Sequence, residues 1–535
     1  MMFKKTPLYD RIVLSIPQIK RSKKMKRLIH ISIFLFVLLA AVSGCSSGTA
    51  KNAAPAVVIE NGAAPLEKYA GLDAGPGLSD YSSYTINMEI DTVSGNIIAI
   101  EKVKLRNQSE ENMPYIAFNV YANALSEGSN AYVFLPGEEK DFYSYGKKYA
   151  SFEISNVRIN GNEAPFELSG TIFKITPEKP IAPGAESEIV FQFKAEIPKT
   201  SGRMGGNQSA LWFGNFIPTL GVFKDGKWIN NTCTPFNKAF FTSAATYDVT
   251  ITAPKDYVVV APGIEKTSAE GNNVKSNFKT SLIRGFSFAA SNLYEKSSIT
   301  SKSGVAINLY SYSGAKNKNL LLGNIKRDFD FYYENIGTYP YQSLNIAECE
   351  LFDGNPINYP QVIFANSQDF KTYGESLDLS SQWFGMLASV DPGNQGWLYN
   401  GINKTVKGIR YYSESRLSEK VAADYDYLLG KLEGGKLSML GMGLYSYTSR
   451  EDYSDIEVVK SSLMMYEFYK TVGKDMFFEI LKNYYSRYAF KNSDVKDFIG
   501  VCNEISGENY MPFFNYWIES DSLPSVTTDI YKNSD

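Results

Sequence analysis

Between residues 84 and 90 apolar and polar positions alternate, Ser94-Gly95-Asn96 supplies a turn, and the alternation resumes from 97 to 105. The period of two on both sides of a turn predicts a β-hairpin. Similar runs follow at 115–122, at 152–159 with a turn at Asn160-Gly161-Asn162, and at 166–175, 188–193, 247–252 and 257–260. Up to about residue 300 strands dominate, which predicts an antiparallel sandwich or saddle-shaped sheet. The period then changes. Residues 317–336 place Leu320, Leu321, Ile325, Phe329 and Tyr332 or Tyr333 on one stripe, and Gly337 ends it, as an amphipathic helix with a glycine C-terminus requires. Segments 375–388, 417–432, 458–471, 475–488 and 493–506 read as helices too. The fold class is α+β: a β-saddle or sandwich domain over 80–300, then a mainly helical domain over 301–535. The roughly 455 residues of this body are too many for one core. The aromatic richness of 466–488 is read as core packing.

The chain before this body has a different character. Residues 1–30 carry nine Lys or Arg against one acid, Asp10, and an uncharged apolar run follows at 31–42. This is a secretory leader, and it ends in Ala41-Val42-Ser43-Gly44-Cys45, which resembles the bacterial lipoprotein signal. Residues 1–44 are then the signal peptide and Cys45 the lipidated first residue. The alternative, an uncleaved anchor, suits so short an apolar run less well. Translation from Met25 instead of Met1 would leave the mature chain unchanged. Residues 46–79, rich in Ala, Gly, Pro and Ser without apolar periodicity, read as a flexible tether, so 45–79 form the lipidated cysteine and its spacer. The expected location is the extracytoplasmic side of a bacterial cell membrane, held through the lipid on Cys45.

Charge and composition narrow the chemistry. The whole chain has a formal net charge of −3; without the first 30 residues, 45 basic side chains face 56 acidic ones, a balance of −11. Such a body does not bind nucleic acid or anionic lipid by bulk electrostatics. Cys233, Cys349 and Cys502 are scattered singly, without metal-type spacing, and read as buried free thiols, although a disulfide between two of them stays open. The single histidine, His30, lies in the leader. The mature chain therefore excludes Ser-His-Asp and Cys-His devices. Glu348 and Glu350 fall on one side of a strand, where solvent exposure is expected. No phosphate-cradling glycine loop is present.

One constellation carries a resemblance. In order along the chain stand Tyr339-Pro340-Tyr341, Asn358-Tyr359-Pro360, the run Ser376-Leu377-Asp378-Leu379-Ser380-Ser381-Gln382-Trp383-Phe384, and Gly396-Trp397-Leu398-Tyr399-Asn400-Gly401. After a β-rich half, this order is similar to the gluzincin zinc aminopeptidases, the family of alanyl and puromycin-sensitive aminopeptidases and leukotriene hydrolase, over roughly residues 80–520. It lacks the helical solenoid that ends many members. In that family a helical His-Glu-x-x-His supplies two zinc ligands and a glutamate, 18 residues further on, the third. Matching Gln382-Trp383 to the dipeptide after the second histidine puts the ligand positions at Leu377, Ser381 and Asn400, with the 18-residue spacing intact. Leucine cannot ligate, and a neutral hydroxyl or amide replaces imidazole or carboxylate poorly. By the same matching the general base falls on Asp378, the amine-anchoring glutamate on Asn358, and the oxyanion tyrosine on Val458.

The resemblance thus implies a member of the family that has lost its zinc ligands: no catalytic residue, no metal, and no cofactor, though zinc is what the family would lead one to expect. The function expected is a lipoprotein of aminopeptidase-like fold, catalytically inactive, that binds a peptide or protein partner in the cleft between its domains, with Asn358, Tyr359, Asp378, Ser381 and Asn400 along that cleft. One alternative is a divergent hydrolase centred on Asp378, Glu375 and nearby tyrosines; another is a structural or regulatory subunit of a membrane transporter complex. A calcium site on Asp378 and Asn400 would fall short of the usual ligand set.

Overall fold

The computed structural model describes residues 81–524, apart from 130, 132, 237–239, 313–317, 353, 367–368, 371–376, 434 and 436. The leader, Cys45, the tether and Glu375 lie outside the described residues. Its sheet-rich first part is organised by strands β1 (Ser83–Asp91), β2 (Asn96–Arg106), β3 (Ser151–Ile159), β4 (Glu186–Glu196), β5 (Thr246–Pro254), β6 (Ile264–Glu270) and β7 (Asn273–Lys279). They lie in the order β6-β7-β5-β1-β2-β4-β3, with the short Asn162–Glu163 strand at the β3 edge. The expected hairpin is β1–β2, in register from Ile90 opposite Ile97 to Tyr84 opposite Val103. Asp91 closes its turn by accepting the amides of Val93 and Ser94, and Gly95 supplies the positive φ of 74°.

Pairing within this sheet is antiparallel except for β1 with β5, which run parallel. One face is buried in strict alternation: Tyr84, Ile86, Met88 and Ile90 from β1 face inward with Ile97, Ala99, Val103 and Leu105 from β2. Tyr84 stacks on Tyr247 with ring centroids 4.5 Å apart. Two expectations are refined here. Residues 166–175 form not one strand but a hairpin, Phe166–Ser169 and Ile172–Ile175, because Gly170 turns with φ 56°. The 115–122 run is a strand only over Ile116–Asn119 before passing into a 3₁₀ turn at Tyr121–Leu125.

A second sheet follows: β8 (Glu295–Thr300), β9 (Ala306–Ser311), β10 (Ser343–Glu348), β11 (Ile357–Tyr359) and β12 (Val362–Ala365), in the order β8-β9-β10-β12-β11. It corrects one reading. Glu348, expected in solvent, is fully buried, because β10 is the middle strand; its Oε2 accepts the Tyr312 amide at 2.8 Å, and Glu350 accepts the Tyr312 hydroxyl at 3.2 Å. Helices dominate the rest of the second half: α1 (Lys318–Asn335), α2 (Trp397–Tyr411), α3 (Glu414–Glu433), α4 (Ser461–Val472), α5 (Lys474–Tyr488), α6 (Val495–Ser506) and α7 (Met511–Glu519). On α1 the buried stripe is Leu321, Ile325, Phe329 and Tyr332 with Leu322; Leu320, one residue and so about 100° off it, is exposed. Phe468, Phe477, Phe498 and Phe514 pack together, so the aromatics of 466–488 do form core. The α+β class of the sequence reading therefore holds. Cys233, Cys349 and Cys502 are free thiols, the latter two buried. No helix among the described residues is long and apolar enough to cross a membrane.

Candidate functional site

Over 377–388, the described part of the segment 375–388, the expected helix does not form. In its place stands a 3₁₀ turn, Leu379–Gln382, entered through Asp378 in the left-handed region at φ 49°. The residue types explain this: the Asp378 carboxylate accepts the Ser381 hydroxyl at 2.7 Å and the Ser380 hydroxyl at 3.3 Å, local bonds that compete with a helical ladder. Gly385, at φ 122°, prevents resumption. Trp383 anchors the turn from behind. It is fully buried against Phe329, Tyr332 and Tyr339 and donates its indole N–H to Gly337 O at 2.9 Å; truncating such a side chain to alanine costs about 3–5 kcal/mol.

Gln382 ties this turn to the β11–β12 hairpin. Its Oε1 accepts the Tyr339 hydroxyl at 3.2 Å and the Gln361 amide at 3.1 Å, and its Nε2 donates to Asn358 Oδ1 and Tyr359 O, both at 2.9 Å. Asn358 in turn donates to Leu377 O at 3.0 Å. From the other side, α2 presents Asn403, whose amide reaches Ser381 Oγ at 3.2 Å and Phe384 O at 2.9 Å. One turn earlier on α2, Asn400 donates to Glu457 Oε2 at 3.3 Å. Helix α2 reaches this depth because Gly401 lets it lie against α4: a Cβ there would sit 2.6 Å from Ser461 O.

These elements wall a cavity of about 520 Å³, whose lining includes Asn358, Tyr359, Asp378, Ser381 and Val458. Five of the positions singled out from sequence thus share one cavity. Leu377 and Asn400 stand behind its wall: Leu377 is fully buried with its carbonyl bonded to Asn358, and Asn400 is turned toward Glu457. The oxygen-lined pair Asp378 and Asn400 therefore does not converge on the cavity. Trp383 and Trp397 are core.

Other residues that shape the site carried no sequence signal. Glu457, buried on a π-helical stretch Ser454–Lys460 ahead of α4, also accepts the Tyr447 hydroxyl at 3.2 Å. Burial, and then its charge, hold the phenols of Tyr399, Tyr447 and Tyr453 well above their ordinary range. Arg450 meets Glu138 through two bonds, at 2.6 and 3.0 Å. Arg203 lies between rings, 4.4 Å from the Phe240 centroid and 5.8 Å from that of Tyr359, and donates to the Tyr359 hydroxyl at 3.3 Å. Arg284 is buried and donates to the carbonyls of Thr242, Leu387 and Lys491 and to Asn492 Oδ1; burial brings its pKa down to about 10. Among the described residues no group of three or more His, Cys, Asp or Glu is placed to hold a metal ion.

No protein-family model matches the sequence, and no curated protein matches it. Solved structures do. The M1 zinc metallopeptidase of Deinococcus radiodurans superposes with a TM-score of 0.61 at 13% identity, over 84% of this chain and 95% of that one. A mutant of it gives 0.62 at 13% identity, over 84% and 96%, and the mutant bound to a Tyr-Ser-Ala substrate gives 0.61 at 12% over the same shares. The fold is that of a two-domain M1 zinc metallopeptidase, and at such identity the likeness speaks for the fold alone.

Proposed function

We propose that this chain is a lipid-anchored extracytoplasmic protein that uses the metallopeptidase scaffold to bind a peptide or protein segment without cleaving it. The observation that supports this most is the state of the three positions matched to zinc ligands. Leu377 offers only hydrocarbon, the Ser381 hydroxyl is given to Asp378, and the Asn400 amide is given to Glu457. A tetrahedral zinc site needs imidazole, thiolate or carboxylate at such points, and these residues do not fit one. The turn that replaces the expected helix is held by side-chain hydrogen bonds and needs no ion. A cavity of about 520 Å³ is within the range of binding sites for small ligands and peptide side chains.

The competing reading, a hydrolase of other chemistry, draws on one contact: the Asp378–Ser381 hydrogen bond at the cavity wall. The two readings separate in one experiment. The full chain, extracted in detergent, is incubated with a defined mixture of unmodified peptides, and bound and free fractions are analysed by mass spectrometry. Binding predicts enrichment of intact peptides. Trimmed products that vanish in Asp378→Ala sink the proposal and favour the hydrolase. If the chain is instead a subunit of a transporter, a membrane protein co-purifies from native membranes in stoichiometric amount.

A further inference from the structure

The cavity holds an imbalance of charge. Its lining includes three arginines, Arg203, Arg284 and Arg450, and one acid, Asp378. Arg450 is neutralised by its two-bond pairing with Glu138. Arg284 is a clamp: its two terminal nitrogens are spent on three carbonyls and Asn492, with no carboxylate among its partners. Arg203 differs from both. Of the five N–H donors of its guanidinium only one meets another group among the described residues, Nη1 to the Tyr359 hydroxyl at 3.3 Å, and its buried Nε, like that of Arg284, is without a partner among them. No described carboxylate comes within ion-pair reach of it.

A guanidinium with unspent donors, set in a cavity wall, is a recognition element. This one is also held in place. Phe240 and Tyr359 flank it, as described above, and Gly214 donates its amide to Arg203 O at 3.0 Å. A Cβ at Gly214 would stand 1.9 Å from the Tyr359 hydroxyl and 2.6 Å from Arg203 O, so glycine is what lets the three meet. Fixing the fork beforehand reduces the ordering that a ligand must impose.

We infer that the cleft takes its ligand by a carboxylate and that Arg203 is the residue that grips it. This rests on the reading of the cleft as a peptide site and specifies the chemistry recognised: a C-terminal carboxylate or an acidic side chain, with Arg284 adding positive field. It also reverses the polarity expected of an amine anchor, since Asn358 at that matched position carries no charge. Polyanions are a poor match, because the one guanidinium with unspent donors lies inside a cavity and the body around it is acidic.

The test uses four probes against the full chain in detergent, by isothermal titration calorimetry: N-acetyl-trialanine as the free acid, the same peptide as C-terminal amide, N-acetyl-Ala-Glu-Ala amide, and glutarate. At least one carboxylate peptide binds about ten- to a hundredfold tighter than the trialanine amide, and which one it is identifies the source of the carboxylate. Arg203→Gln erases the preference; Arg203→Lys, which keeps the charge and loses the fork, retains part of it and serves should the glutamine variant fold poorly. Equal binding of acids and amide overturns the carboxylate inference and leaves the peptide reading standing. A preference that survives Arg203→Gln overturns the role of Arg203. Glutarate binding that depends on Arg203, without peptide binding, supports the inference and removes the peptide reading. No binding of any probe overturns both.

Discussion

Gln382 is the position where the architecture of the cleft is most open to a quantitative test. Its fully buried amide makes four hydrogen bonds, to Tyr339, Asn358, Tyr359 and Gln361. Gln382→Leu keeps roughly the volume and removes all four. At about 1 kcal/mol each, the lower end of the cost of leaving a buried partner unpaired, the loss is about 4 kcal/mol, of which the added apolar burial recovers about 1 kcal/mol. The remaining destabilisation of about 3 kcal/mol lowers the melting temperature by roughly 3–6 °C in a body of this size. Gln382→Glu adds a pH signature. Its carboxylate faces the carbonyl oxygens of Asn358 and Tyr359 without a proton to give them, so the folded state raises its pKa. Stability is then intact below the ordinary glutamate pKa and is lost as pH rises above it. The assay is differential scanning fluorimetry of the detergent-extracted chain at pH 5 and pH 7. A fall of less than about 1 °C for the leucine variant, or a glutamate variant whose deficit is the same at both pH values, would refute the reasoning.

Two further predictions concern buried charges elsewhere. Glu101 points into the core face of the main sheet with neither carboxylate oxygen hydrogen-bonded, and burial pushes its pKa well above the ordinary 4.5. The folded state retains a proton that the unfolded chain releases, so stability declines as pH rises past 4.5 by up to about 1.4 kcal/mol per pH unit; Glu101→Gln removes that decline, and its melting-temperature advantage over the parent should widen from pH 5 to pH 7, a constant gap counting against the account. Lys460, buried and donating to Ser438 O and Ser520 O, is brought down by burial to about 8. Here the unfolded chain binds the extra proton between about 8 and 10.5, so this group's contribution to stability rises with pH across that window; Lys460→Met should lose the rise, read as parent and variant melting temperatures converging or crossing between pH 8 and pH 10.

What the sequence disclosed and withheld follows physical lines. The β1–β2 hairpin and the helices α3, α5 and α6 were legible because one buried face imposes a period on apolar residues. Asn358, Tyr359, Asp378, Ser381 and Val458 were placed at one site through the order of motifs, and the structure brings these five to one cavity. The form of segment 375–388 was not legible: its apolar spacing suits a helix, and only the competition of the Asp378, Ser380 and Ser381 side chains for local bonds decides otherwise. Glu348 illustrates the opposite error, since alternation tells which side of a strand a residue takes but not that a middle strand is covered on both sides. Arg203 and Glu457 could not be read at all. Their roles come from neighbours distant in sequence, Phe240 and Tyr359 for one, Asn400 and Tyr447 for the other.

The central claim is that the positions matched to the zinc ligands of the gluzincin family do not hold the metal. The most direct measurement is zinc content by inductively coupled plasma mass spectrometry, after dialysis of the full chain against micromolar zinc, with turnover of aminoacyl fluorogenic substrates followed on the same sample with and without chelator. The account predicts zinc well below one per chain and no chelator-sensitive turnover. One tightly held zinc per chain, with turnover that a chelator abolishes, would contradict it.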